Sequence, residues 1–349
     1  MHMADALISP IVGGAMWAAS AGVMAYSIKK VQNDIDDNKI PLMGVMGAFV
    51  FAAQMINFSI PGTGSSGHLA GGMLLSILLG PYAGFLTMAS VLLIQALFFA
   101  DGGLLAYGCN VFNLGFFSCF VAYPLINKWF THKEITSKKI FAVSMVSALI
   151  TLQLGAFSVV LQTFLSGKTE LPLGTFLLFM QPIHLAIGVV EGLVTAAVVT
   201  YVWKARPEII DETWNGQKCT VYSMRKVITI LAIVTVMVGG VFSWFASSNP
   251  DGLEWSMLKT AGETELETPK GLHTALSQIQ TKTSFLPDYG FKNNESEAAL
   301  PGEAGEPWPA VSAGTSISGA VGGFITLLLA GFIGFMVSMI KRRKNRIIV

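Results

Sequence analysis

Charge is what this 349-residue chain has least of: Asp, Glu, Lys and Arg together make up 12% of it, against about 25% in soluble globular domains. Hydrophobic residues reach 52% and the mean hydropathy is +0.60. This balance excludes an ordinary soluble domain and makes the lipid bilayer the chain's main surroundings. The net charge is only +1, so nothing draws the chain to nucleic acid. Cysteine is scarce too. Cys109, Cys119 and Cys219 form no C-x-x-C pair, and neither a disulfide nor a metal is assigned to them. The first ten residues, MHMADALISP, contain no Lys or Arg and carry Asp5. They lack the basic start of a secretory signal and are expected to be retained. Met1 is expected to stay as well, because the residue after it, His2, is large. A nucleotide motor is also missing. Ser166-Gly-Lys-Thr169 resembles the end of a phosphate-binding loop, but that loop requires glycine where Gln162 stands.

What the chain does contain is a series of apolar runs long enough to cross about 30 Å of hydrocarbon. They cover roughly 10–28, 42–58, 104–126, 140–165, 174–203, 227–245 and 318–340. The run 69–100 is too long for one crossing and is broken by Gly80-Pro81, so it is expected to form two short helices. Nine crossings place the termini on opposite sides. With the N-terminus outside, the inner segments 29–41, 127–139, 204–226 and 341–346 hold 17 of the 22 basic residues, as the positive-inside rule requires. The expected fold is an all-α polytopic membrane protein with its N-terminus outside the plasma (inner) membrane and its C-terminus in the cytoplasm. Residues 1–204 form a seven-helix module, 205–226 a cytoplasmic linker, and 227–349 a two-helix module. The external loop 246–317 of the second module, with ten acidic and four basic residues, is expected to be partly flexible.

Metal ligation is the chemistry the N-terminus offers. A free α-amine, the deprotonated amide nitrogen of His2 and its imidazole Nδ1 can close fused five- and six-membered rings around one ion. Such planar nitrogen sets favour Ni²⁺ or Cu²⁺ over tetrahedral Zn²⁺. A fourth donor is available in His68, within the small-residue loop Pro61-Gly-Thr-Gly-Ser-Ser-Gly-His68, which the topology puts on the same side. At this stage two plain readings stay open: an unordered terminal histidine, and a surface loop histidine. His132 is assigned to an inner loop and His273 to the external loop.

His184 and Glu191, seven residues apart, share one helix face about 10 Å apart. They could relay protons or metal, or hold the structure by hydrogen-bonding neighbouring helices; the structural role is favoured. Gln54, Asn57, Gln95, Asn110 and Asn113 carry the same two readings, with Asn57 and Gln95 candidates to orient the His68 loop. Asp101 either attracts cations or caps a turn. Ala15, Ala19 and Gly22, and Gly44, Ala48 and Ala52, are small-residue faces suited to close helix packing, within the seven-helix module or against a partner.

MHMADALISP, the runs Phe51–Gly72 and Leu92–Asn113, and the stretch from Ile183-His184 through Glu191–Thr195 resemble the CbiM/NikM family, the substrate-capture components of cobalt and nickel energy-coupling-factor transporters. The resemblance covers most of residues 1–204. It departs at Ala6, where many relatives have glycine, a position that affects a bend and not a ligand. The second module, whose loop contains Pro250–Trp255, resembles the small CbiN/NikN partner carried as a fusion. The resemblance implies an S component that holds its ion with Met1, His2 and His68. Co²⁺ or Ni²⁺ is then the transported substrate, with no permanently bound cofactor. It further implies CbiQ/NikQ-like coupling and CbiO/NikO-like ATPase partners, no enzyme activity of its own, and a supply of metal to cobalamin synthesis or nickel enzymes. An ATPase-independent carrier or channel and a membrane metalloenzyme are the rival functions.

Overall fold

Hydrocarbon offers a peptide group no hydrogen-bond partner, so apolar runs that enter it must satisfy their backbone internally, as helices do. The computed structural model describes residues 2–34, 39–130, 134–215, 224–292 and 308–347. Met1, His132, Cys219 and the Gly/Pro-rich stretch 300–307 lie outside them. The chain is an all-α polytopic membrane protein, and six of its helices are long and apolar enough to cross a bilayer. These are α1 (Pro10–Asp34), α4 (Pro81–Ile94, extended by a π-turn over Gln95–Phe99), the continuous α5 (Tyr107–Val111), π-segment (Phe112–Ala122) and α6 (Tyr123–Phe130), then α7 (Ser137–Leu165), α8 (Leu173–Ala205) and α13 (Ala313–Ile347).

The other three expected crossings are shorter. α2 (Lys39–Gln54) and α10 (Arg225–Gly240) have 16 residues each, and α3 (Gly72–Leu79) has 8. At about 1.5 Å per residue, α3 covers only about 12 Å. The chain does break at Gly80-Pro81: Gly80 takes a φ of 83° and Pro81 opens α4. Gly84 then lets α4 lie against the backbone of Leu75, because a Cβ there would come 3.0 Å from it.

α3 is short because the chain before it runs inward without helical structure. α2 stops at Gln54, not at Phe58, and an antiparallel hairpin follows. Its strands β1 (Phe58–Ile60) and β2 (Ser65–Gly67) pair Phe58 with Gly67 and Ile60 with Ser65. The positive φ values of Gly62 and Gly64 form its turn. Residues 68–71 then descend along α8. Backbone buried in this way needs partners, and side chains supply them. The Glu191 carboxylate, about 27 Å along α8 from Leu173, accepts hydrogen bonds from Ala70 N at 2.5 Å and Gly71 N at 2.9 Å. Gln54 Nε2 donates to Ala70 O at 2.8 Å, and Gln95 Nε2 donates to Gln54 Oε1 at 3.0 Å. Glu191 therefore holds the end of a neighbouring helix, α3, while His184 bonds within its own helix, to Met180 O at 2.8 Å.

The C-terminal part packs on the N-terminal part along α2. A Cβ on Gly44 would come 2.9 Å from Leu327 O of α13, and Gly47 faces Thr326 and Ala330. The small-residue face of α2 is thus filled from within the chain by the C-terminal helices. On α1, Ala15, Ala19 and Gly22 are exposed. The expected connecting stretch 205–226 contains a short helix, α9 (Pro207–Asn215), whose Thr213 O accepts a 2.7 Å bond from Tyr123 Oη. The region after α10 is helical in part, and its residues 293–307 lie outside the described ones. It contains α11 (Gly252–Ala261) and α12 (Leu272–Thr283), both lying over the end of the bundle that carries His2.

Glu191→Ala removes the acceptor from two buried amides and is expected to cost about 3 kcal/mol. It should lower the thermal unfolding midpoint of the detergent-solubilised chain by several degrees, with Glu191→Gln retaining part of the loss. An unchanged midpoint in Glu191→Ala contradicts this account of the inward loop.

Candidate metal centre

The N-terminal segment is fastened from both sides of its backbone. Asn110 Oδ1 accepts from Met3 N at 2.8 Å, and Asn110 Nδ2 donates to Met3 O at 3.1 Å. Gly103 N also donates to Met3 O, at 2.9 Å. The Met3 side chain is fully buried. Asp5 Oδ1 takes the Ala106 amide at 2.9 Å. Gly103 is required for this approach, because a Cβ there would collide with the Asp5 carboxyl. Anchored in this way, His2 sits beside the loop that follows the π-turn of α4. There Ala100 adopts a left-handed φ of 56° and brings Asp101 round to meet it.

The structure brings His2 and His68 together. Their rings stack with centroids 4.9 Å apart and planes 23° from parallel. A carboxylate flanks each ring. Asp101 Oδ1 lies 2.8 Å from His2 Nδ1, and Asp251 Oδ2 lies 3.6 Å from His68 Nε2. His68 Nδ1 lies 3.2 Å from Leu69 O. A carbonyl only accepts, so this bond puts the ring hydrogen on Nδ1 and leaves a lone pair on Nε2, facing the Asp251 carboxylate. Asp251 thus stands 3.6 Å from the His68 ring nitrogen, close enough for a cation held at that nitrogen to meet its carboxylate.

Electrostatics support the same reading. Burial lowers the pKa of His68, favouring the neutral ring that ligates metals. Burial alone would raise Asp101, but the His2 charge and hydrogen bonds from His2 and Tyr289 more than offset it and hold the carboxyl below its usual range. Two carboxylates thus stand beside the two stacked imidazoles. Among the described residues, no three His, Cys, Asp or Glu side chains converge tightly enough to hold an ion by themselves. Nδ1, the ring nitrogen expected to chelate, faces Asp101, so loading would exchange that partner for the ion. His2 Nε2 is buried and has no hydrogen-bond partner among the described residues.

Asp251 was not visible as a site residue in the sequence, although its turn was noted. Each residue of Pro250–Glu254 has a geometric task. Pro250 O accepts from Ser66 N at 2.8 Å, joining the turn to β2. Asp251 caps α11 by accepting from Leu253 N at 2.7 Å and Glu254 N at 2.9 Å, and Asp251 N donates in turn to Glu254 Oε2 at 2.9 Å, completing a capping box. Gly252 lies flat on α8, where a Cβ would come 2.9 Å from Ile187 and 3.2 Å from His184. Leu253 is buried. Trp255 Nε1 reaches Thr63 O in the hairpin turn at 3.0 Å.

The remaining candidates fall into place around this turn. Gln95 reaches the loop through Gln54 and also donates to Tyr289 Oη at 3.3 Å. Asn57 meets the C-terminal part through its carbonyl, which accepts from Ser247 N at 2.7 Å. Asn113 and Gln162 pair reciprocally at 2.9 Å in the core. His273 is buried against the N-terminal segment, 2.8 Å from Ile8 O. A cavity of about 220 Å³ leads to the site and is lined by His2, Asp5, Gly102, Glu254, Glu265 and Gln280, among others.

Residues 2–209 match the family model CbiM, the cobalt uptake substrate-specific transmembrane region, and residues 225–339 match the PDGLE domain. The chain is 32% identical over 331 residues to a putative fused nickel transport protein NikMN of Archaeoglobus fulgidus, covering 94% of this chain and 96% of that one. It is 35% identical over 210 residues to a putative metal transport protein of Haloquadratum walsbyi, covering 60% and 93%. A crystal structure of a truncated transition metal transporter superposes with a TM-score of 0.52 at 31% identity, covering 59% of this chain and 99% of that one.

Gly252→Val should lift the Pro250–Glu254 turn off α8 and expose the segment 246–292 to limited proteolysis. Asp251→Ser keeps a capping oxygen and should leave that segment protected, whereas Asp251→Ala should weaken the cap by about 1 kcal/mol. Protection unchanged by Gly252→Val contradicts the seating described.

Proposed function

The chain belongs to the CbiM family of cobalt uptake substrate-specific transmembrane proteins, and from that premise we propose that it is the substrate-binding component of an ATP-driven, energy-coupling-factor-type importer for divalent cobalt or nickel. The observation that carries the reading is the stacked His2–His68 pair between two carboxylates. On this proposal the cargo is held by the amine of Met1, the amide nitrogen and imidazole of His2, and the imidazole of His68. The ion reaches them through the cavity lined by Glu254 and Glu265. Asp101 and Asp251 offset its charge, with Gln95 and Asn57 supporting the loop that carries His68.

The proposed division of labour follows the two matched regions. Residues 1–204 form the metal-binding module, 205–226 the cytoplasmic linker, and 227–349 the module whose Pro250–Glu254 turn closes the site. The N-terminus faces outward and the C-terminus lies in the cytoplasm, in keeping with the 17 of 22 basic residues on the inner side. A CbiQ/NikQ-like coupling protein and CbiO/NikO-like ATPases supply the energy, and hydrolysis shifts the chain between loaded and releasing states. The exposed small-residue face of α1, Ala15, Ala19 and Gly22, is the proposed contact for the coupling protein.

His68→Ala, or an alanine inserted after Met1, should abolish cobalt- or nickel-dependent uptake in cells that supply the partner subunits. Each change should weaken Co²⁺ binding to the purified chain by about a hundredfold. Uptake and affinity at the unaltered level in both variants would falsify the assigned ligands.

A further inference from the structure

His184 on α8 is 1% exposed and has no task in the site described so far. Its Nδ1 lies 2.8 Å from Met180 O. Because the carbonyl can only accept, Nδ1 carries the hydrogen, and Nε2 of the neutral ring carries a lone pair. That Nε2 is buried and has no hydrogen-bond partner among the described residues. A ring whose Nδ1 is fixed by a backbone carbonyl and whose Nε2 is left available has the tautomer and orientation of a metal-ligating histidine. A structural histidine at this depth would be expected to use both nitrogens.

The surroundings point the same way. His184 lines a small cavity together with His68, Asp251, Gly67 and Gly252. The two glycines keep it narrow: a Cβ on Gly67 would come 2.5 Å from Ile187, and one on Gly252 would come 3.2 Å from His184 Cε1. The free volume is about 10 Å³, room for a bare ion or one water but not for a hydrated cation. His184 lies about 16 Å along α8 from Leu173, about 10 Å short of Glu191. It lies beside the loop that carries His68, whose Gly67 meets Ile187 one turn further along α8.

We propose that His184 is a further metal ligand, a station that takes a dehydrated divalent transition-metal ion from His68 within the small cavity the two residues share. The inference rests on the reading that this chain carries such an ion at His2 and His68. No bond other than metal coordination forms or breaks. The ion exchanges one imidazole nitrogen for another, and the Asp251 carboxylate stays beside it to offset its charge.

The test uses the full-length chain, purified for binding and expressed with its partner subunits for uptake. His184→Phe should leave the tight Co²⁺ binding constant in place and reduce cobalt uptake about tenfold or more. His184→Cys puts a thiolate donor at the same position and should give a near-ultraviolet thiolate-to-cobalt band on Co²⁺ addition. The wild-type chain, with its three native cysteines, is the blank. Unchanged uptake in His184→Phe overturns the proposal, as does the absence of the band in His184→Cys; either result leaves His184 as a buried histidine with a water. Tight binding that survives His68→Ala would instead sink the reading on which this inference rests.

Discussion

The end of the bundle that carries His68 depends on one constraint: the backbone between Gln54 and Gly72 lies among helices without being a helix, so its peptide groups must be met one by one. Glu191 takes the amides of Ala70 and Gly71, and Gln54 donates to the Ala70 carbonyl. Pro250 takes the amide of Ser66. Two of these partners lie more than 100 residues away in the chain. The loop that presents His68 is therefore built only when α8 and the Pro250–Glu254 turn are both in place. A carboxylate at the depth of Glu191 would be costly without partners, and two backbone amides provide them. The short α3 follows directly, since the loop covers the part of the crossing that α3 does not.

That dependence gives the C-terminal part a physical role. The Pro250–Glu254 turn does more than sit near the site. It is joined to the hairpin through Ser66 and Trp255 and to α8 through Gly252, and the same turn brings Asp251 to His68. Lifting this turn would remove a hairpin partner and a charge partner in one movement. The seating of the turn and the presentation of His68 thus depend on the same few residues.

Much of this was legible in the sequence. Composition and the apolar runs separated the long helices, Gly80-Pro81 marked a real break, and the pairing of His2 with His68 was anticipated. What was hidden had physical reasons. The stretch 55–58 is apolar enough to read as more of α2, because hydropathy does not register where helical hydrogen bonding gives way to a hairpin. Asp251 stands 183 residues from His68, and only tertiary packing joins them. The acidic loop read as partly flexible because its composition is polar; within its described residues, Trp255, Leu253 and His273 are anchored in the bundle end. The small-residue face of α2 was correctly seen as a packing surface, but its occupant, α13, comes from the other end of the chain.

The central claim is that nitrogen donors of His2 and His68 surround one divalent ion beneath the Pro250–Glu254 turn. X-ray absorption on the nickel-loaded full-length chain, purified with nothing ahead of Met1, tests it most directly. The account predicts a four-coordinate planar shell of nitrogen scatterers, with the outer-shell pattern of two imidazoles that falls to one in His68→Ala. A six-coordinate oxygen shell without imidazole scattering would contradict it.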